Sequence, residues 1–388
     1  MERLLYIIAI LLTFYVLVPG VGAFVARARW RSFRRRITQA SLRPTAGYVQ
    51  LRAEQQGSGY LGVHRCFATL EAIQGDETLW IRDGRVSFAV SMTDMLVYML
   101  PSGLYLSDSA VRGVELPDEM PAIVPWAKVG SLSEGTQMFV CGPLYISESK
   151  AVFRSDGASR LTVLIYDGPQ ETVLQRSIWS GRQRNEYWNQ LTPVSLAAGS
   201  LSLIMLASVY VASPWLRSAA ILAVLGSLVP VLPLGPPGVL LFFGYRRLWQ
   251  QARFLRAERD LVRLPLRFGF DGAVEVRLPD GERYVRRTIP ASELDTLLEL
   301  GAQYRSASVV KHDPAELVCF CTLDDNGFPK RPQDPLAEFV LIPGDPEQIA
   351  NRCQRKARVL EFLSLAAFFA GLLVNLYIAL LIVNAVIQ

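Results

Sequence analysis

Four long runs of apolar residues dominate the pattern of hydrophobic and polar positions in this chain. They are Leu4–Ala26, Val194–Ala212, Ala219–Tyr245 and Phe362–Ile387, and none of them contains Asp, Glu, Lys, Arg or His. A helix needs roughly 20 apolar residues to cross the hydrocarbon of a bilayer. The pattern therefore predicts a multi-span α-helical membrane protein with four transmembrane helices, over residues 4–26, 194–212, 219–245 and 362–387.

The third run is interrupted by prolines. Pro230, Pro233, Pro236 and Pro237 crowd its middle. Each proline removes a backbone donor and clashes with the preceding helical turn. We expect a kinked span or two half-helices joined near Leu234–Gly235, with a re-entrant loop as the alternative. Non-helical backbone at membrane depth must be sheltered by protein or water, so neighbouring spans are expected to cover it.

Residues 37–191, between the first two runs, have the pattern of β-strands. In LEAIQGDETLWIRDGRVSFAVSM, apolar residues alternate with polar ones and the alternation is broken at Gly75 and Gly84. Such glycines turn hairpins because they accept a positive φ. This rhythm of short strands predicts a mostly-β cytoplasmic domain, either a sandwich or a small barrel.

Residues 246–265 predict a basic amphipathic juxtamembrane helix. Apolar residues recur at helical spacing in RRLWQQARFLRAERDLVRLP, and the other face is rich in arginine. Such a helix is expected to lie on the inner leaflet. Pro265 is expected to end it.

Residues 270–360 predict a smaller α+β cytoplasmic domain. The pattern contains a hairpin around Asp280–Gly281, a short helix with Ser292 as its N-cap, and the strands ELVCFCTL and AEFVLIP. A last helix is capped by Asp345, has Pro346 at its first position and is expected to continue into the fourth span.

Composition agrees with a membrane protein that has water-exposed parts. Apolar residues make up 51% and charged residues only 19% of the 388 residues, which is a low charged fraction for a soluble protein. Of the 40 basic residues, 35 are arginine. An excess of arginine can indicate phosphate binding, and a GC-rich coding genome is the other explanation.

The distribution of positive charge predicts the orientation. RARWRSFRRRITQASLR, Arg27–Arg43, has seven arginines and no acid, and in all 21 basic residues flank the runs on one side, against Arg3 and Arg217 on the other. Positive flanks stay in the cytoplasm. We expect a multi-pass protein of the cytoplasmic (inner) membrane with both termini outside and both long loops in the cytoplasm. A cleavable signal ending at Val21–Ala23 is the alternative for the first run, and the arginines that follow oppose it.

Two groups of residues are predicted to meet the membrane. Arginines near the inner leaflet attract anionic headgroups at about 1 kcal/mol each, and the predicted headgroup contacts are Arg34, Arg35, Arg36, Arg247, Arg253 and Arg256. The second group is a predicted hinge between the β-rich domain and the bilayer. Its residues are Arg182, Arg184, Tyr187 and Trp188.

No catalytic, cofactor or metal site is predicted. The five cysteines form no C-x-x-C pair and only two histidines accompany them, which is not the ligand spacing of zinc sites. Cys319 and Cys321 lie two apart in an apolar strand, so both are expected to face a core. Asp324–Gly327 is expected to be a turn, since it lacks the spacing of a calcium loop. Phosphate-binding loops and hydrolase motifs are absent from the sequence.

Inside the predicted spans, Asn375 and Asn384 are the only strongly polar side chains. Amides at such depth bond neighbouring helices. The lack of ionisable groups there argues against a coupled carrier.

The first cytoplasmic segment resembles the β-rich domain of the membrane-anchored E3 ubiquitin ligases of the GIDE/MULAN type. The resemblance lies in EGTQMFVCGPLYI, VLIYDGPQETVLQR and WIRDGRVSFAV, together with the basic residues before the second span, and it covers Glu71–Ala212. The RING domain of that family, with its paired C-x-x-C zinc ligands, has no counterpart in this sequence, so ligase activity is not carried over. The resemblance implies a membrane-tethered domain that binds proteins.

Together these features favour a non-enzymatic integral membrane scaffold or assembly and regulatory factor that presents two cytoplasmic protein-interaction domains. The alternatives are a membrane enzyme with an unrecognised site, or a channel or transporter subunit that uses the broken third span. Expected partners are anionic inner-leaflet lipids and other membrane or cytoplasmic proteins, with a homo-oligomer left open. Nucleic acid is not expected, because no nucleic-acid-binding motif accompanies the arginines.

Overall fold

The structure, a computed structural model, describes residues 2–47, 59–75, 77–84, 86–101, 120–129, 131–147, 150–156, 159–182, 185–270, 273–310 and 315–387. The chain divides into two compact units. The helical unit comprises Met1–Ser32, Gln183–Arg256 and Gln354–Gln388. The mixed unit comprises Phe33–Arg182 and Ala257–Cys353.

The helices and strands have the following bounds. The helices are α1 (Glu2–Ala40), α2 (Thr172–Trp179), α3 (Leu191–Val211), α4 (Arg217–Leu228), α5 (Gly238–Val262), α6 (Leu294–Glu299) and α7 (Pro346–Ile387). The strands are β1 (Gly59–Gln74), β2 (Thr78–Asp83), β3 (Val86–Ser91), β4 (Leu96–Met99), β5 (Ala122–Pro125), β6 (Gln137–Ser147), β7 (Lys150–Phe153), β8 (Thr162–Ile165), β9 (Glu275–Arg277), β10 (Arg283–Pro290), β11 (Gln303–Tyr304), β12 (Glu316–Leu323), β13 (Pro329–Lys330) and β14 (Val340–Ile342).

Three helices are long and apolar enough to cross a membrane. They are Glu2–Ala40, Leu191–Val211 and Pro346–Ala385. Large apolar side chains remain exposed along them, for example Phe24, Val194 and Phe362, each more than 70% exposed. Such a surface is typical of helices whose surroundings are apolar.

The third apolar run forms two helices. α4 ends at Leu228 and α5 begins at Gly238, and the four prolines lie in the turns between these ends. The expected amphipathic helix is not a separate element, because α5 continues from Gly238 to Val262 without interruption. Its apolar face is covered by protein, since Ala252 and Leu255 are buried. This differs from the expectation that the apolar face would lie on a membrane leaflet.

The segment between the first two apolar runs folds into a small barrel with a side sheet. β1, β2, β3, β7 and β6 pair in that order, and the pairing of β6 with β1 closes the ring. All pairs in the ring are antiparallel except β3 with β7. A closed five-stranded barrel of this kind has the architecture of the OB-fold. Its interior is filled by apolar side chains such as Leu79, Phe88 and Phe153.

The sheet branches at Gly142–Pro143 in the middle of β6. The residues before this point, from Met138 to Cys141, pair with β8, and those after it pair with β7. A Cβ on Gly142 would lie 3.1 Å from the Cα of Leu161, so only glycine fits between the two branches. The side sheet continues from β8 to β4 and β5.

The segment between α5 and α7 forms a six-stranded sheet. Its order is β11-β14-β12-β10-β9, and β13 pairs with β12. α6 covers one face, over a core that includes Val285, Leu317 and Leu341. The N-cap prediction for Ser292 was wrong, since Ser292 lies in a 3-10 turn, Ala291–Glu293, and makes no capping bond to α6. Asp345 does begin α7, where its carboxylate accepts the backbone N–H of Glu347 at 3.3 Å.

Candidate functional site

Buried charges join the barrel to the second sheet within the mixed unit. Arg65 projects from β1 and is fully buried. Its Nη2 donates to Oδ2 of Asp334 at 2.6 Å, and its Nε donates to the carbonyl of Arg43. Asp334 is itself only 4% exposed. Losing one partner of such a pair leaves an uncompensated charge in the interior, which costs about 3–5 kcal/mol.

Arg267 is a second cation in the mixed unit, and it is partly buried. It donates to Ser41 Oγ at 2.9 Å and to the carbonyls of Leu264 and Leu336. Burial lowers the pKa of Arg267, and the carboxylate of Glu338 opposes this shift. These neutral oxygen acceptors therefore stabilise the charge of Arg267 where protein replaces water.

A third contact connects α2 with the second sheet. Arg305 donates to both carboxylate oxygens of Glu338, at 2.6 and 3.0 Å. Such a bidentate ion pair is strong and directional. Gln175 on α2 donates to the same carboxylate at 3.1 Å and to Gln303 at 2.8 Å. Burial raises the pKa of the Tyr284 phenol well above its usual value, and this hydroxyl donates to the carbonyl of Glu338 at 2.6 Å. The segment that contains the barrel and the segment that contains the second sheet are therefore parts of one unit.

In the helical unit, side chains form hydrogen bonds with backbone carbonyls at a break in α1 around Pro19. α1 is π-helical over Leu12–Leu17, and Pro19 has no N–H, so carbonyls one turn earlier lack a backbone donor. The hydroxyl of Tyr187 donates to the carbonyl of Tyr15 at 2.7 Å, and Ser195 donates to that of Phe14 at 2.6 Å. The residues around the start of α3 thus satisfy the backbone of α1.

Asn375 on α7 forms hydrogen bonds with the backbone of the proline-rich turn between α4 and α5. Its amide group donates to the carbonyls of Leu232 and of Gly235, the latter at 2.8 Å, and its Oδ1 accepts the N–H of Gly238 at 3.1 Å. A Cβ on Gly371 would lie 3.1 Å from the carbonyl oxygen of Gly238, so the backbones meet closely here. One side chain thereby bonds three backbone groups at the break. The carbonyls of Leu232 and Gly235 also accept the backbone N–H groups of Gly235 and Val239, so Asn375 adds a second donor to each of them.

A charge cluster lies between the helices of the same unit. Arg253 is 5% exposed, pairs with Glu186, and its guanidinium lies 4.8 Å from the ring centroid of Trp249. Arg27 of α1 approaches the same Glu186 at 3.8 Å. Arg256 pairs with Glu361 of α7. These contacts tie α1, α5 and α7 together.

The predicted headgroup arginines fall into different environments. Arg35 and Arg247 are exposed, and Arg34 and Arg36 are partly buried. Arg253 departs from the expectation, because its burial and its pairing with Glu186 leave almost no surface for a phosphate. Arg256 is likewise engaged by Glu361.

The predicted hinge residues are also separated by the structure. Arg182 is buried in the mixed unit, where it bonds Asp260 and the carbonyl of Ile178. Arg184 lies outside the described residues. Tyr187 and Trp188 belong to the helical unit, and Trp188 remains 53% exposed with its ring 6.2 Å from that of Tyr187. The boundary between the two units falls between Arg182 and Gln183.

The acidic partners were missed by reasoning from sequence. Glu186 is the one acid in the basic stretch before α3, and Glu361 stands at the edge of the fourth apolar run. A lone acid among arginines is the signal that could have identified both. Asp334 gives no such signal, because its partner Arg65 is 269 residues away.

The cysteines are buried thiols. Cys66, Cys141, Cys319, Cys321 and Cys353 are all free and buried, and burial raises the pKa of Cys141 to about 12. Within the described part of the chain, no three His, Cys, Asp or Glu side chains converge as a metal site. Comparison with known proteins yields no relative, since no protein-family model, curated protein or solved structure matches the chain.

Proposed function

We propose that this protein is a non-enzymatic integral membrane scaffold or assembly factor. In this proposal α1, α3, the pair α4–α5 and α7 provide four spans in the inner membrane, and both termini lie outside. The mixed unit faces the cytoplasm and binds other proteins. The excess of arginine on one side of every apolar run supports this orientation.

The observation that carries the proposal is the fusion of the two cytoplasmic segments into one unit. Buried pairs such as Arg65–Asp334 and Arg305–Glu338 join residues far apart in sequence. The buried polar groups are thereby used for internal contacts. A rigid body held in this way is suited to binding partners, because little ordering is needed when a preorganised surface associates.

Exposed arginines support a contact with anionic lipids. Arg29, Arg31 and Arg247 in the helical unit are exposed, whereas the acids Glu186 and Glu361 are already paired with arginines. Each exposed cation close to an anionic leaflet contributes about 1 kcal/mol of attraction. Lipid contact therefore accompanies the scaffold function in this proposal.

Chemical cross-linking in native membranes, followed by purification in mild detergent, tests the scaffold function. We expect the protein to be recovered with a partner in fixed stoichiometry. Recovery of the protein alone in repeated experiments contradicts the proposal.

Cysteine labelling tests the orientation. We expect a membrane-impermeant maleimide to label Ser218→Cys in intact cells and to leave Ser155→Cys unlabelled, since both positions are exposed in the structure. Replacing Arg34, Arg35 and Arg36 with Glu should invert or scramble the first span. Labelling of Ser155→Cys in sealed cells would contradict a cytoplasmic mixed unit.

A channel or transporter subunit is the second candidate. It is favoured by the interruption between α4 and α5, because discontinuous helices line substrate sites in many transporters. Solute flux in reconstituted vesicles would support it, and impermeable vesicles containing folded protein would remove it.

A further inference from the structure

The outer face of β7 has an alternating pattern of charge. Lys150 and Val152 project from the same side of the strand, and Arg154 follows at the next outward position. Lys150 and Arg154 are exposed, and Val152 is partly exposed. At roughly 3.3 Å per residue, the backbone positions of Lys150 and Arg154 are about 13 Å apart, with an apolar side chain between them. We call these three residues the β7 face.

Aromatic residues flank the β7 face on both sides. Val152 pairs with Tyr145 of β6 and, on the other side, with Ala89 of β3, which in turn pairs with Trp80 of β2. The guanidinium of Arg154 lies 4.1 Å from the ring centroid of Tyr145, and the Lys150 ammonium lies 5.8 Å from that of Trp80. The aromatic rings therefore hold the two cations in place.

The two cations form no direct ion pair in the described parts of the chain, and the carboxylate of Asp156 accepts the hydroxyl of the same Tyr145 at 3.1 Å. Neither Lys150 nor Arg154 forms an ion pair there, whereas the neighbouring Arg82 is paired with Glu71. Two fixed, unpaired cations separated by an apolar side chain match a ligand with two carboxylates on either side of an apolar group. An extended peptide provides this spacing when acidic, apolar and acidic residues occupy alternate positions.

We propose that the β7 face binds an extended acidic peptide of a partner protein. Its carboxylates meet Lys150 and Arg154, and the apolar side chain between them packs on Val152 beside Tyr145 and Trp80. The inference rests on the proposed scaffold function and names the surface that serves it.

The chemistry of the rings favours a peptide over nucleic acid. OB-type barrels bind oligonucleotides and oligosaccharides on strands two and three and on the adjoining loops, which is close to this face. Single strands of nucleic acid need open ring faces and a continuous basic groove. On the β7 face, Lys150 lies over the ring of Trp80 and Arg154 over the ring of Tyr145, so neither ring is open for a base to stack on. The face has only these two cations, which do not form a continuous basic groove.

Fluorescence anisotropy with the full-length protein in nanodiscs tests the inference. The probes are a labelled peptide with Asp, Leu and Asp at alternate positions separated by Ser, the same peptide with Lys in place of Asp, and oligo-dT. We expect saturable binding of the acidic peptide only. Because two exposed ion pairs are lost, Lys150→Glu with Arg154→Glu should weaken this binding roughly tenfold and should allow the Lys peptide to bind.

The matched control is Arg277→Glu with Lys330→Glu, which reverses two exposed charges on the second sheet. We expect it to bind the acidic peptide like the wild type. Equal loss in this control, no binding by the wild type, or binding of oligo-dT in competition with the peptide would each overturn the inference. If peptide binding fails while cross-linking still yields a partner, the β7 face is excluded and the scaffold function stands.

Discussion

Replacing Asn375 with Leu is expected to destabilise the helical unit. Leucine has a similar size and cannot bond, so the carbonyls of Leu232 and Gly235 and the N–H of Gly238 would lose their common partner. Hydrogen bonds between membrane helices contribute about 0.6–1.7 kcal/mol each. The two carbonyls keep their backbone donors, the N–H groups of Gly235 and Val239, so only the N–H of Gly238 loses its partner. The three lost bonds and this one unpaired group predict a loss of about 2–4 kcal/mol.

The same helix provides a matched control. Asn384 is also an amide in the last apolar run, but its side chain is exposed, so Asn384→Leu should change stability by less than about 0.5 kcal/mol. The assay is equilibrium unfolding in mixed micelles with increasing SDS, followed by tryptophan fluorescence. If both variants unfold at the same SDS fraction as the wild type, Asn375 does not hold the break, and the reasoning is refuted.

A variant that keeps part of the bonding separates hydrogen bonding from packing. Asn375→Asp retains an acceptor for the N–H of Gly238 and loses both donated bonds. It also places a carboxylate among carbonyl oxygens, so it should be less stable than Asn375→Leu at neutral pH. The opposite order would show that the retained bond to the N–H of Gly238 outweighs the cost of the buried carboxylate.

Three further predictions concern other contacts. Asp334→Ala should destabilise the mixed unit by about 3 kcal/mol in urea unfolding, because it leaves buried Arg65 with only the more distant carboxylate of Asp280, at 3.7 Å. Adding Arg65→Met should recover most of this loss, and a double variant no better than the single one would contradict this. Burial raises the pKa of Asp260, but Arg182 and Arg259 outweigh it and hold the pKa below its usual value. This carboxylate therefore stabilises the fold above the ordinary pKa of about 3.9, and the stabilisation is lost as pH falls through the lowered value. Urea unfolding at pH 7 and pH 3 should show a smaller acid loss in Asp260→Asn than in the wild type, and equal losses would count against the pairing. Tyr187→Phe removes the bond to the carbonyl of Tyr15 and should cost about 1 kcal/mol in SDS unfolding, whereas an unchanged midpoint would show that water replaces the hydroxyl.

Local patterns identified most of the elements because local physics determines them. Apolar length marked the three long helices, and alternation with glycine turns marked the strands around Gly75 and Gly84. Pro346 after Asp345 marked the start of α7. Of the two predicted architectures, a sandwich or a small barrel, the structure has the barrel. Strand periodicity alone does not distinguish them, because closure depends on the pairing of β1 with β6, whose paired residues are about 70 to 90 positions apart in sequence.

The contacts that define the candidate sites were beyond a single sequence. Arg253 looked like a headgroup ligand because its partner, Glu186, lies 67 residues earlier. The segments 37–191 and 270–360 were predicted as two domains, because a whole helical stretch of the sequence separates Arg65 from Asp334. Long-range ion pairs carry no periodicity, so a pattern of apolar and polar positions cannot reveal them.

If α1 spans the membrane as proposed, its break has a consequence for the order of insertion. The donors to the carbonyls of Phe14 and Tyr15 come from Ser195 and Tyr187, which are 181 and 172 residues further along the chain. Until the ribosome has made those residues, the first helix has bare carbonyl oxygens that lipid cannot solvate. The nascent first helix therefore needs water or an insertion factor beside Pro19 until the second long apolar helix arrives.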